Sequence, residues 1–224
     1  MKKFAFTLAE VLITLGIIGI VAAMTLPSLI TRNQNKALEA GLKKNYSIIQ
    51  QAFEMYQAEH GERLKATDIE GSASDNNLKA RIMPYFKVLI DCGVNGADKQ
   101  KACAYVNVNY KTYNGSSLSI TRFDDGQFVL QDGSLVLIED MVGEQTKVIS
   151  VDINGRNKNP NKWGHDIFSF ELMNDGRILP MGAPETRYKD KNTYCSPNSQ
   201  HPYNGIGCTY DALTDKDYFN NLPR

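Results

Sequence analysis

The sequence predicts an α+β fold: a long N-terminal helix whose second half covers an antiparallel β-sheet head. Three observations predict it. Residues 11–26 are almost wholly apolar. Leu38, Leu42, Tyr46, Ile49, Phe53 and Tyr56 then recur at three- and four-residue steps, the spacing of one helix face. From Leu118 the pattern changes to short alternating runs punctuated by Asp-Gly, the signature of strands and tight turns.

The apolar stretch comes first. Phe6 to Ile30, at ~1.5 Å per residue, is long enough to cross a hydrocarbon layer ~30 Å thick. Gly16, Gly19, Ala22 and Ala23 are small enough to let neighbouring helices approach closely. Pro27 removes a backbone donor and is expected to bend the helix. Lys2 and Lys3 lie on one side of the stretch, Arg32 and Lys36 on the other, so loop charge does not orient it. Glu10 stands at its front edge. An acid there costs up to ~2.5–3.5 kcal/mol on insertion scales, and a plain anchor does not explain it. A secretory signal cut after Val21-Ala22-Ala23, giving a start at Met24, leaves Glu10 unexplained too.

Residues 31–60 continue the helix as an amphipathic segment, with Gly61 as its stop. Residues 61–224 form the head. A short helix is expected over Leu78 to Phe86, interrupted by Pro84. Two successive hairpins follow from Leu118, turned at Asp125-Gly126 and Asp132-Gly133. "TKVISVDI" is a further strand, and a last hairpin turns at Asp175-Gly176. The expectation is four to six antiparallel strands with the amphipathic helix on the inner face.

The chain has 224 residues and a formal net charge of zero, so no global field points to nucleic acid. Cys92, Cys103, Cys195 and Cys208 form two sequence-local pairs without zinc-type spacing. Of the three connectivities open to four cysteines, two local disulfides are expected, which places the head outside the reducing cytosol. The C-terminal tail from Asn192 onward, which holds the Cys195–Cys208 loop, carries several tyrosines expected at the surface. His60, His165 and His201 are scattered. No nucleophile elbow, phosphate loop or dinucleotide glycine motif is present, so no enzymatic activity is expected.

One loop stands apart, from Val151 to Phe170. It offers Asp152, Asn154, Asn157, Asn159, Asn161 and Asp166, with Gly155 and Gly164 for tight turns. Oxygen donors of this kind suit Ca²⁺. Its D-x-N-G opening is that of an EF-hand loop, but no acid stands at the closing position, so it is not one. The competing reading is a connector whose Asn and Asp side chains satisfy their own backbone. Trp163 is expected to pin this loop to the sheet.

Lys2-Lys3, Ala5 and the run "FTLAEVLITLGIIGIVAAMTLP" together resemble the N-terminus of type IV prepilins and of type II secretion pseudopilins. The resemblance implies a leader, residues 1–5, cut by a prepilin peptidase between Ala5 and Phe6, with N-methylation of Phe6. Ala5 departs from the glycine usual before the cut. Glu10 would be the fifth residue of the mature chain, where the family carries its acid, and Pro27 falls where the family commonly bends. In that family the new amine of one chain meets the carboxylate of its own or a neighbouring chain, since both are costly alone in hydrocarbon. The implied protein is a pilin-like structural subunit, held in the cytoplasmic membrane and then assembled with copies of itself and other pilins by an inner-membrane platform. Its filament would stand in the periplasm or at the cell surface. Some pseudopilins hold calcium in a head loop, the role implied for Asp152, Asn154 and Asp166. The alternative function is a secreted or anchored extracytoplasmic binding domain with an ordinary signal sequence.

Overall fold

The computed structural model describes residues 7–71, 74–94, 103, 109–141 and 146–223. The expected cut between Ala5 and Phe6 lies outside them, as does most of the loop between Cys92 and Cys103. The chain divides into two units, Met1–Ala37 and Leu38–Arg224.

The first helix, α1 (Leu8–His60), includes Pro27. It begins where it does because Thr7 caps it. The Thr7 hydroxyl oxygen accepts from the Glu10 backbone N–H at 3.2 Å, and the Glu10 carboxylate accepts from the Thr7 backbone N–H at 2.8 Å. This is a reciprocal capping box. Within the first unit the apolar side chains of α1 are exposed on every side, Leu12, Ile13, Ile17 and Ile18 among them. By length and composition the helix can cross a membrane.

Within the second unit, α1 buries Leu42, Asn45, Ile49, Ala52, Phe53 and Tyr56. Leu38 and Tyr46 pack at the margin of the same cluster. The apolar period is therefore read correctly, with Ala52 and Asn45 added to the face. Asn45 is tolerated there because its side-chain amide donates to the Gly41 carbonyl at 3.0 Å. The Tyr46 and Phe170 rings lie parallel, 5.1 Å apart, fixing helix to sheet.

Among the described residues the sheet has six strands in sequential antiparallel order: β1 (Val88–Asp91), β2 (Gly126–Leu130), β3 (Leu135–Met141), β4 (Thr146–Asp152), β5 (Ile167–Leu172) and β6 (Ile178–Pro180). The turns at Asp132-Gly133 and Asp175-Gly176 are as expected, each glycine at positive φ. The short helix α2 (Leu78–Ile82) is also as expected, running into a 3-10 turn that contains Pro84. The small edge strand β1, half exposed, is missed by the sequence reading.

The expected hairpin at Asp125-Gly126 is not formed. Leu118 to Phe123 makes no strand; Ser119 caps a 3-10 turn at Ile120–Arg122 instead. Leu118 and Phe123 are buried against the sheet rather than added to it. Gly126 simply opens β2, where a Cβ would meet the Lys79 side chain at 2.8 Å.

Both faces of the sheet are buried. One carries Phe128, Val136, Ile138, Ile149 and Phe170 against α1. The other carries Val129, Leu135, Leu137 and Val148 beneath Tyr110, Phe123, Trp163, Tyr188 and Ile206. Strands β2 to β5 are buried at every position as a result.

Both disulfides are the local ones, Cys92–Cys103 and Cys195–Cys208. The C-terminal segment adds helices α3 (Lys191–Tyr194) and α4 (Thr209–Thr214). Its tyrosines form the exposed rim expected only in part: Tyr194, Tyr203 and Tyr210 are half-buried and Tyr218 is buried. Tyr188 is 3% exposed and stacks on Tyr203 at 5.2 Å, and the Tyr218 hydroxyl donates to the Gly164 carbonyl at 2.7 Å. Tyr188, Tyr194 and Tyr203 pack on the second sheet face, whereas Tyr218 joins the cluster that includes the buried face of α1. Inside the Cys195–Cys208 loop, buried Asn204 accepts from the Ser196 N–H at 3.1 Å and donates to the Ser196 and Ser199 carbonyls.

Candidate functional site

The loop between β4 and β5 gathers part of its predicted donor set into the protein interior. Asp152 ends β4 and Asp166 precedes β5; both are fully buried. Asn154 ties them together. Its N–H donates to one Asp152 oxygen at 3.3 Å and its side-chain amide to one Asp166 oxygen at 3.4 Å. Asp166 also accepts from the backbone N–H groups of Asn161 at 2.9 Å and Lys162 at 2.7 Å. Asn161 is held in turn by its amide donating to the Arg156 carbonyl at 2.9 Å. Asn157 and Asn159, the other two predicted donors, are exposed.

Glycine sets the backbone path at Gly155. Its φ is +79°, and a Cβ there would meet the Gly133 carbonyl oxygen at 2.4 Å. The β2–β3 turn and this loop are thus in backbone contact. Trp163, 1% exposed, crosses Phe123 edge to face at 5.4 Å on the second sheet face. It pins the loop to the sheet as expected.

The electrostatics are unusual for a connector. Burial pushes the Asp152 carboxyl well above the ordinary carboxylate range, and the charge of Asp166 adds to this. Burial likewise pushes Asp166 up to about 6, against the pull of the backbone N–H groups it accepts. Tyr110 is raised by burial and by both aspartates. Several oxygens here are buried and accept no hydrogen bond from the described residues: Asp152 Oδ2, Asn154 Oδ1 and Asn161 Oδ1. The Tyr110 hydroxyl likewise has no partner among the described residues. Buried acceptors left unsatisfied are costly, and two carboxylates sharing one interior pocket add repulsion. The donors are all hard oxygen, the chemistry that suits Ca²⁺ rather than a soft transition metal. The sequence reading names Asp152, Asn154, Asn161 and Asp166; it misses Tyr110, which reaches the loop from a distant segment and carries no local signal.

The histidines do not converge. His60 stacks on Tyr56, His165 meets Tyr113, and His201 meets Tyr194 and Tyr203.

What the chain presents is thus a membrane-length apolar helix and an α+β head with an oxygen-lined interior loop. Residues 28–218 match the family of unknown function DUF6613, and the chain belongs to that family. No curated protein and no solved structure matches it.

Proposed function

We propose that this chain is a structural subunit of a type IV pilus or type II secretion-like filament. It would be cut by a prepilin peptidase between Ala5 and Phe6, methylated at Phe6, and assembled through residues 6–30 with copies of itself and other pilins. The observation that carries the reading is the apolar surface of α1 in the first unit, exposed all round behind a single acid, Glu10. A helix apolar on every side needs lipid or sister helices around it, and a filament core supplies the second when the first is left behind. The pilin-like combination of such a helix with an antiparallel sheet head supports it. The inner-membrane platform would draw the processed subunit from the cytoplasmic membrane into the filament.

Calcium belongs to this reading. Asp152, Asn154 and Asp166 would hold it, with Asn161 and Tyr110 adding oxygens that otherwise have no partner. A divalent ion would offset two buried negative charges and stabilise the β4–β5 loop.

Mass spectrometry of the mature N-terminus tests the proposal. A methylated Phe6 start supports it. A start at Met24 assigns the apolar stretch to a secretory signal and makes the head a secreted binding domain. An uncut chain leaves a plain anchor, and either result sinks the filament reading.

A further inference from the structure

A second acidic cluster lies at the far end of the β2–β3 pair, outside the β4–β5 loop. Asp124 and Asp125 directly precede β2, and Glu139 lies on β3. Gly126 pairs with Ile138, so the same register sets Asp125 opposite Glu139. Oxygens of Asp124, Asp125 and Glu139 all lie within 4.8 Å of one another. Like charges opposite each other across an antiparallel pair are destabilising, so the arrangement calls for a reason.

Glu139 supplies an independent one. It is 9% exposed, and its Oε2 is buried without a hydrogen-bond partner among the described residues. Its neighbours leave it that way. Burial opposes its ionisation first, then the charges of Asp125, Asp124 and Asp140, and among the described residues Arg122 favours it. Arg122 is directed elsewhere: its guanidinium lies 4.2 Å from the centre of the Tyr203 ring and donates to the Tyr203 hydroxyl. Asp140 is paired with Lys147 at 2.5 Å. Asp125 is held in place by the Asp140 backbone N–H, which donates to it at 2.7 Å. Two residues along β2 on the same face, fully buried Gln127 donates its amide to the Phe123 carbonyl at 2.8 Å and leaves its own side-chain oxygen unpartnered.

We propose that Asp124, Asp125 and Glu139 form a binding site for a hard divalent cation, tying the segment before β2 to strand β3. Ligand oxygens on opposite sides of Ca²⁺ stand roughly 4.6–5.2 Å apart, and those on Mg²⁺ roughly 4.0–4.2 Å. The oxygens here fall within that reach without the backbone having to open. Carboxylate oxygen alone, with no sulfur or imidazole, selects hard ions. The ion would lie beside the Cys92–Cys103 disulfide, because the Cys92 N–H donates to the Gln127 carbonyl at 3.0 Å and the Gln127 N–H to the Gly93 carbonyl at 3.0 Å. It would be a second clamp at that corner of the head.

The test uses the full chain in detergent micelles, stripped with EDTA and titrated with Ca²⁺ and, separately, Mg²⁺ by calorimetry. Wild type is compared with Glu139→Gln and Asp152→Asn. The proposal expects Glu139→Gln to bind one cation fewer than wild type, or to bind it about tenfold more weakly or worse. Asp152→Asn should keep that cation. If the β4–β5 loop binds nothing, wild type takes one ion and Glu139→Gln none, so failure of the loop reading stays distinguishable. Stripped Glu139→Gln should melt at or above stripped wild type, since a like-charge contact is removed. Asp124→Asn, less buried, repeats the test should Glu139→Gln fail to fold. Equal stoichiometry and affinity in wild type and the folded variants, or no cation bound by wild type, overturns the proposal.

Discussion

Thr7 and Glu10 hold each other at the start of α1: the Thr7 backbone and hydroxyl both donate to the same Glu10 oxygen at 2.8 Å. The acid that looks anomalous at the threshold of an apolar run therefore has a local task as a cap. Capping and filament assembly make different demands, and mutation separates them. Thr7→Ala removes the hydroxyl half of the cap and leaves the carboxylate with its bond from the residue 7 backbone N–H. Glu10→Ala removes the carboxylate and that bond. Filament recovery in sheared fractions should remain near wild type for Thr7→Ala and fall sharply for Glu10→Ala, with the Phe6 start unchanged in each. Equal loss in both would make Glu10 a cap and nothing more.

Calcium should stabilise the head through the β4–β5 loop. Millimolar Ca²⁺ against EDTA is expected to raise the melting temperature by several degrees, since ~1 kcal/mol corresponds to roughly 2–4 °C in a domain of this size. Asp166→Asn should remove the part of the response that persists in Glu139→Gln. A Glu139→Gln protein whose melting point ignores Ca²⁺ would end the calcium reading of the loop.

Gly155 is the backbone contact between that loop and the β2–β3 turn. Gly155→Ala adds a Cβ 2.4 Å from the Gly133 carbonyl oxygen at a φ of +79°. Urea unfolding should show a loss of roughly 2 kcal/mol or more. A change below ~0.5 kcal/mol would mean that the two turns are not in contact.

Glu171 gives a pH dependence. It is buried on β5, and burial raises its carboxyl above the ordinary value of 4.5 despite the Arg187 N–H that donates to it at 2.7 Å and the nearby Arg187 charge. A carboxyl raised in the folded state contributes stability that is complete below its unfolded value and lost as pH rises through its folded value. Wild type should therefore lose stability relative to Glu171→Gln as pH rises from about 4 upward. A flat difference between the two melting profiles across that range would contradict this.

Much of the architecture is written in local pattern. The three- and four-residue spacing of Leu42, Ile49, Phe53 and Tyr56 names the buried face of α1, because a helix returns those positions to one side. Asp132-Gly133 and Asp175-Gly176 name their turns, because glycine alone takes positive φ cheaply. The Leu118–Phe123 stretch misleads for the same physical reason that strands are readable: alternation says that one face is covered, not whether a neighbour strand is there. Strand β1 is short and half exposed, so little periodicity marks it.

The sequence by itself determined the apolar helix, the amphipathic continuation and most of the strands, all of which depend on neighbours a few positions apart. Only the tertiary structure decided the rest. It buried the second face of the sheet under Trp163, Tyr188 and Ile206, and drew the expected surface tyrosines Tyr194 and Tyr203 partly onto it. It brought Tyr110 to Asp152 and set Asp125 across from Glu139. Those encounters arise from strand register and from which segment covers which face, and chain-distant contacts of that kind leave no period in the sequence to read.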